Sequence, residues 1–398
     1  MIRTLTALAA LAMPIAASAQ EPSAQPAAVV VTFTQDEITP LIAEGVRNFE
    51  SREPVEANDP VRIASISKLI MAIAAMRLVD EGKLDLDRDV SDYLGWRLRS
   101  PGFPDTPVTL AQLMSHRAGL RDDAGYIIPL GESLEEKLAN PESWYLQAPP
   151  GEAPFEYANL GSPVVASVLE AATGERYDRL LERLIFEPLG IKACVNWIGC
   201  SPDMAARAVA LYRHTGEPAR DYPGDLPSDC SVAGAQGVHC SVEDYEPGTN
   251  ASVFSPQGGV RIGMVDLARL GQALMKGRKG PLMSEATFER FARTAYAGQN
   301  EGQDFFCTYG FHLQIIEFGD QPCLDRLFED GAEYIGHSGE AYGLQSGLWF
   351  DGGADRGYAF FRTQAPPPAG GEDTGGFTQG ERDLVRRAKA ALANKAND

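Results

Sequence analysis

Apolar, strand-type runs stand at the two ends of this chain, and a long helix-patterned stretch separates them. Near the start, Val29-Val30-Val31-Thr32-Phe33 is an unbroken run of β-branched and aromatic residues, the pattern of a buried strand. Towards the other end, residues 309–317, 334–338, 344–350 and 357–362 read as four strands with short or medium connections, which suggests an antiparallel sheet. A sheet assembled from both ends leaves the middle of the chain as an insertion. The expected fold class is therefore α/β, an antiparallel sheet flanked by helices, with an inserted mainly helical subdomain. The sheet subdomain takes about 28–64 plus 255–398, and the helical subdomain about 65–254.

Residues 38–49 are open between strand and helix. Ile38, Leu41, Ile42, Val46 and Phe49 have helical spacing, whereas Gly45 weakens a helix. A helix over the apolar run 69–79 stops near Gly82, and residues 85–188 are mainly helical in pattern, with proline-rich breaks at 101–107 and at Pro149-Pro150-Gly151. Within that stretch, 160–173 and 177–189 are helices stopped by Gly174 and Gly190. Leu267, Leu270 and Leu274 form the stripe of a further helix that ends at Gly277, and 379–394 closes the chain as a last one.

Composition bounds the setting. The first nineteen residues read as a secretory signal: Arg3 is the only charge, 5–15 is apolar, and Ala17-Ser18-Ala19 fits a small-residue cleavage site. Residues 20–398 would then form a single catalytic domain in the periplasm or outside the cell. No later stretch approaches about 18 uninterrupted apolar residues, so no stable membrane anchor is expected. A formal net charge of −20 disfavours nucleic acid and anionic lipid as partners. Six cysteines lie between Cys194 and Cys323, and an even number in an exported chain favours disulfides. The simplest pairing is Cys194–Cys200, Cys230–Cys240 and Cys307–Cys323, with 191–253 as stapled irregular structure. Clustered histidines and C-x-x-C pairs are both absent from the sequence, so no metal is expected.

Three short constellations carry chemistry. Ser65-Ile66-Ser67-Lys68 opens the first helix, and in a helix Lys68 lies one turn from Ser65 on the same face. A lysine that loses its proton in a desolvated cleft can take the proton of the hydroxyl or hold a base in place. Tyr157-Ala158-Asn159 follows a Pro-Gly turn and precedes a helix. A Tyr157 phenolate, favoured by a cationic Lys68, could accept the Ser65 proton, and Asn159 offers both a donor and an acceptor. His337-Ser338-Gly339 lies on a strand that runs into Glu340. Gly339 lets a substrate backbone approach the strand edge, the N–H groups of Ser65 and Glu340 could hold an oxyanion, and a protonated His337 could bind a carboxylate.

In this order the three constellations resemble the motifs of the serine β-lactamases and penicillin-binding enzymes. The likeness is to the class C-like branch, which also holds D-alanyl-D-alanine carboxypeptidases, D-aminopeptidases and esterases. Val61-Arg62-Ile63-Ala64, the segment 108–120 around Ser115-His116, Phe186-Glu187-Pro188-Leu189-Gly190 and Ser255-Pro256-Gln257-Gly258-Gly259 extend the resemblance over most of residues 28–362. It implies a β-lactamase/transpeptidase-like fold and an acyl-enzyme on Ser65. Lys68 and Tyr157 would share proton transfer, Asn159 would orient Lys68 and substrate, and Ser338 and Gly339 would bind substrate along the strand. His337 stands where many β-lactamases have lysine, which favours a peptidase or esterase over a β-lactamase. His116 belongs to a segment that is structural in the family. No cofactor is implied, and the partner is a small-molecule or peptide substrate.

The competing readings are a class C-like β-lactamase and a non-catalytic penicillin- or peptide-binding sensor. A lipase-type hydrolase would need a Gly-x-Ser-x-Gly elbow, and a zinc hydrolase a His-Glu-x-x-His helix; the sequence holds neither. Peptide mapping without reductant is expected to recover the three local cysteine pairs, and free thiols would contradict an oxidising compartment.

Overall fold

The run at 29–33 lies in the strand Ala28–Phe33, and its alternate side chains enter two different cores. Val29, Val31 and Phe33 join the larger core, while Ala28 and Val30 join a smaller one on the opposite face. A strand covered on both sides has no polar face to present, which is why its sequence is apolar throughout. The structure is a computed structural model that describes residues 25–221, 235, 238, 241–292, 296–297, 305–317, 323, 325–353, 355–365 and 376–395. The expected signal at 1–19 and the expected Cys230–Cys240 pair lie outside the described residues.

The main sheet has eight strands in the order Ile38–Glu44, Ala28–Phe33, Gly357–Arg362, Leu344–Asp351, Tyr334–Ala341, Gln314–Ile316, Thr308–Tyr309 and Tyr296–Ala297. Every neighbouring pair is antiparallel. The two chain ends meet inside the sheet, where Val29 faces Phe361 and Val31 faces Ala359. This is the α/β architecture expected from the sequence.

The ambiguous segment 38–49 resolves as the strand Ile38–Glu44 at the sheet edge. Pro40 has no N–H to donate, and an edge strand tolerates it. Gly45 ends the strand at φ +84, where a Cβ would stand 2.0 Å from the Pro26 carbonyl oxygen. Residues 309–317 form a hairpin rather than one strand, with Tyr309 facing Gln314.

Helices cover both faces. Met264–Met275 lies against Ala28–Phe33 and Gly357–Arg362, and Gln379–Lys395 buries Leu384, Val385 and Ala388 against Val30, Trp349 and Phe360 on the other side. Close approach of the first of these depends on Gly271, where a Cβ would stand 2.3 Å from the Phe33 ring. The helix Ile66–Asp80 is buried from Ile66 through Met76 and packs against Gly161–Thr173, Glu285–Ala292 and Tyr334–Ala341. It is apolar all round because it has protein on every side. A small sheet of Val61–Arg62, Val260–Ile262 and Ala193–Val195 anchors the chain just ahead of it.

The stretch 85–188 is less helical than its pattern suggests. Ser91–Leu94, Leu110–Met114 and Leu134–Ala139 are short helices among turns, whereas the expected helices at 160–173 and 177–189 form, as Gly161–Thr173 and as Tyr177–Leu181, Glu182–Phe186 and Glu187–Leu189 in succession. Pro101, Pro104, Pro107, Pro149 and Pro150 interrupt the backbone hydrogen bonding that a helix needs. Cys194–Cys200 and Cys307–Cys323 are bonded, as the local pairing anticipates.

Gly271→Val is expected to destabilise the protein by about 1–3 kcal/mol, the usual scale of overpacking. In denaturant unfolding, combining it with Phe33→Leu should cost less than the sum of the two single changes, because both act on one contact.

Candidate active site

Ser65 stands at the head of the Ile66–Asp80 helix, immediately after Ala64, whose φ of 47° is left-handed for a residue with a Cβ. Such a conformation persists where the surroundings enforce it, and it concentrates at functional sites. Ser65 occupies the cap position but makes no side-chain cap bond, so its hydroxyl remains available. Lys68 Nζ, one turn on, donates to Ser65 Oγ at 3.2 Å. The same Nζ donates to Asn159 Oδ1 at 2.8 Å and to the Gln257 carbonyl oxygen at 3.0 Å. Three acceptors match the three protons of an ammonium. Lys68 is fully buried, and desolvation lowers its pKa from 10.5 to about 7 against the opposing pull of the Asp122 charge. A lysine so placed exchanges its proton near neutral pH, as a base for a serine requires. Ser67 points elsewhere: its Oγ accepts from the Val260 N–H at 3.1 Å and ties the helix to the small sheet.

Tyr157 and Asn159 arrive on irregular chain between Pro150 and the Gly161–Thr173 helix. The Tyr157 ring is stacked on His116 at 4.5 Å and on Phe306 at 4.4 Å, and Lys68 Nζ lies 4.8 Å from its centroid. Its Oη is buried without a hydrogen bond of full geometry, although Ser65 lies near enough to lower its pKa. Burial outweighs that effect and holds the phenol above its usual range. The phenolate expected from the sequence therefore does not describe this resting site: Tyr157 is neutral, and Lys68 is the group that titrates near pH 7. His116 serves this arrangement from behind, its Nδ1 accepting the Ala158 N–H at 3.2 Å.

Asp122 escaped the sequence reading. Its carboxylate accepts from Asn159 N and Nδ2 and from Leu160 N, all at 2.9 Å. With Nδ2 held by Asp122, Asn159 must turn Oδ1 towards Lys68. An aspartate in a turn carries no sequence signal for this, since the contact spans 37 residues. The Gln257 carbonyl was equally hidden, being a backbone group.

The strand Tyr334–Ala341 brings the third constellation alongside. Ser338, Gly339 and Glu340 line the same cleft of about 610 Å³ as Ser65, Tyr157 and Asn159. His337 is placed differently from the expectation. Its ring is fully buried, Nε2 lies 2.9 Å from Tyr309 Oη, Nδ1 lies 2.6 Å from the Ser338 carbonyl oxygen, and burial lowers its pKa to about 3. A neutral imidazole behind the cleft wall does not supply the cation proposed for a substrate carboxylate. Gly339 has a second constraint: a Cβ there would stand 2.3 Å from the Ile63 carbonyl oxygen and 2.5 Å from Ser346 Oγ. Its missing side chain lets the strand close on the segment ahead of the nucleophile.

Comparison with known proteins agrees with this geometry. Residues 15–377 match the Beta-lactamase family model, and the chain belongs to that family. Among curated relatives, it is 30% identical over 206 residues to Esterase EstB of Burkholderia gladioli, covering 48% of this chain and 51% of the esterase. It is 32% identical over 161 residues to the D-alanyl-D-alanine-carboxypeptidase/endopeptidase AmpH of Escherichia coli (strain K12), covering 38% of this chain and 40% of that protein. The matched regions thus span about half or less of these relatives. The D-amino acid amidase of Ochrobactrum anthropi SV3 shares the fold with a TM-score of 0.66 at 19% identity, over 93% of this chain and 94% of that one. The class C beta lactamase of Rhodobacter sphaeroides does so with a TM-score of 0.64 at 18% identity, over 94% and 95%.

Asp122→Asn should cost about 2 kcal/mol or more, because it replaces a charged acceptor of three hydrogen bonds. It should also move the Lys68 titration below pH 7, since the lost carboxylate raises that pKa. Lysine 15Nζ NMR reads the second effect independently of stability.

Proposed function

We propose that this chain is an exported serine hydrolase that forms an acyl-enzyme on Ser65 and cleaves an amide or ester, of peptidase or esterase type. One observation carries the reading: Lys68 Nζ stands 3.2 Å from Ser65 Oγ in surroundings that bring its pKa to about 7. At neutral pH a substantial fraction of Lys68 is the free amine, able to take the Ser65 proton as Oγ attacks the carbonyl carbon. The resulting ammonium is held by Asn159 Oδ1 and the Gln257 carbonyl. Tyr157, neutral and close to Ser65, gives its hydroxyl proton to the leaving group and regains one from the Lys68 ammonium, which leaves Lys68 as the free amine that takes a proton from water for deacylation. Charge developing on the carbonyl oxygen would meet the N–H groups of Ser65 and Glu340, with the N-terminus of a 15-residue helix behind Ser65.

The peptidase or esterase type is favoured over a β-lactamase because the third constellation presents a buried neutral His337 instead of a lysine. The matches to an esterase and to a carboxypeptidase/endopeptidase point the same way. Export rests on the N-terminal pattern and on the two disulfides.

Intact-mass analysis after exposure to a p-nitrophenyl ester, a D-alanyl-D-alanine peptide and a fluorescent penicillin should show an adduct or turnover that Ser65→Ala abolishes. Identical behaviour of wild type and Ser65→Ala on all three would reject the nucleophile. Acylation should rise with pH through about 7, as Lys68 loses its proton, and Tyr157→Phe should slow it by roughly 10²-fold or more. A rate that is flat from pH 5 to 9 would remove Lys68 as the base.

A further inference from the structure

Behind the cleft wall lie four buried residues that the proton transfers do not use: His116, Tyr309, His312 and His337, none more than 5% exposed. Burial holds the three imidazoles below their usual range and the phenol above its own, so all four are neutral at neutral pH. The hydrogen bonds then fix where each proton sits. A backbone carbonyl only accepts, so His337 Nδ1, 2.6 Å from the Ser338 oxygen, carries the proton and Nε2 is bare. Tyr309 Oη, 2.9 Å from that Nε2, donates to it. With its one proton placed there, Tyr309 Oη can only accept from His312 Nδ1 at 3.3 Å, which leaves His312 Nε2 bare. At the other end a backbone N–H only donates. His116 Nδ1, accepting from Ala158 N at 3.2 Å, is therefore bare, and its Nε2 carries the proton.

Two ring atoms remain, and they are of opposite kind. The His116 Nε2–H and the bare His312 Nε2 are both buried without a hydrogen-bond partner among the described residues. Their rings are neighbours, with centroids 5.0 Å apart. One leftover donor beside one leftover acceptor is the pair that a direct N–H···N bond or a single bridging water satisfies, and buried polar groups are rarely left idle. The backbone enforces the juxtaposition. His116 and His312 both stand in the left-handed region, at φ 55° and 50°, and His312 N donates to the Met114 carbonyl at 2.9 Å. Such conformations persist where the surroundings hold them. The two ends of the group differ in firmness. Ser338 belongs to the strand Tyr334–Ala341, paired along its length with Leu344–Asp351, whereas Ala158 sits in irregular chain between Tyr157 and Asn159. That chain hangs on His116 twice, by Ala158 N on the ring and by Glu156 N on the carbonyl oxygen at 3.1 Å.

We propose that Tyr309 and His312 are positioning residues of the reaction, the middle of a one-way hydrogen-bond chain that runs from the Ala158 N–H through His116, His312, Tyr309 and His337 to the Ser338 carbonyl. Every donor in it points the same way, and the His116–His312 link is closed directly or through one water. The chain ties the irregular segment that presents Tyr157 and Asn159 to a strand fixed in the main sheet. Because each member holds its proton on one stated atom, a change at Tyr309 releases the links behind it. The consequence in turnover rests on the serine-hydrolase reading, whereas the proton positions do not.

Long-range 1H–15N correlation spectra of 15N-histidine-labelled protein read the tautomers, with signals assigned by single His→Gln variants. Wild type should show His312 and His337 protonated at Nδ1 and His116 at Nε2. Tyr309→Phe removes one hydroxyl at nearly constant shape and should move the His312 proton off Nδ1. On a p-nitrophenyl ester it should lower kcat by roughly ten-fold and change KM by less than about two-fold, because Tyr157 and Asn159 shift while the strand stays paired. His312→Gln, which keeps a donor and an acceptor, should retain several times the kcat of His312→Leu. If Tyr309→Phe fails to fold by circular dichroism, the wild-type tautomers and the two His312 variants decide. Should wild type turn over no ester, the failure belongs to the Ser65 chemistry, and the tautomers of wild type and Tyr309→Phe judge the chain alone. His312 or His337 protonated at Nε2 in wild type overturns it. So does Tyr309→Phe protein with an unchanged His312 tautomer or with wild-type kcat.

Discussion

The structure turns on the burial of one ammonium. Lys68 sits in a helix that is apolar on every side, with its Nζ satisfied by a hydroxyl, an amide and a backbone carbonyl instead of a carboxylate. A direct ion pair would hold the lysine charged. Neutral acceptors satisfy its protons while leaving the desolvation penalty in force, and the balance falls near neutral pH. Asp122 sits one residue further out, where it orients Asn159 and moderates the penalty without cancelling it.

Much of the remaining architecture keeps that site dry and aligned. Gly339 and Ser346 draw the sheet against Ile63, Ser67 fastens the helix to Val260, and His116 and Phe306 hold the Tyr157 ring between them. Behind this wall, His116, His312 and His337 are all held below the usual imidazole range by burial. Three neutral imidazoles pack as aromatic groups beside Lys68 and add no charge that would lower its pKa further.

The cleft is polar in an ordered way. Ser65, Tyr157 and Asn159 share it with Ser338, Gly339 and Glu340 and with Arg62 and Arg220, whose guanidinium groups both lie over the Tyr342 ring.

Local pattern alone carried the sheet built from both chain ends, the helix that holds Ser65 and Lys68, the pairs Cys194–Cys200 and Cys307–Cys323, and the order of three motifs that resemble one family. These are legible because they are written in local periodicity, in i and i+3 spacing, and in short contiguous patterns. The tertiary structure alone decided which of Lys68 and Tyr157 titrates near neutral pH, because desolvation depends on what packs around a group and not on its neighbours in the chain. It also placed His337 behind the wall, assigned Gly339 to a close approach of two backbones, and brought in Asp122 and the Gln257 carbonyl. The expected helices at 160–173 and 177–189 form, but prolines break much of the chain before them into turns and short helices, and that irregular backbone is what delivers Asp122, Tyr157 and Asn159 to Lys68. Those contacts join residues from 37 to 189 positions apart, a distance over which pattern carries no information.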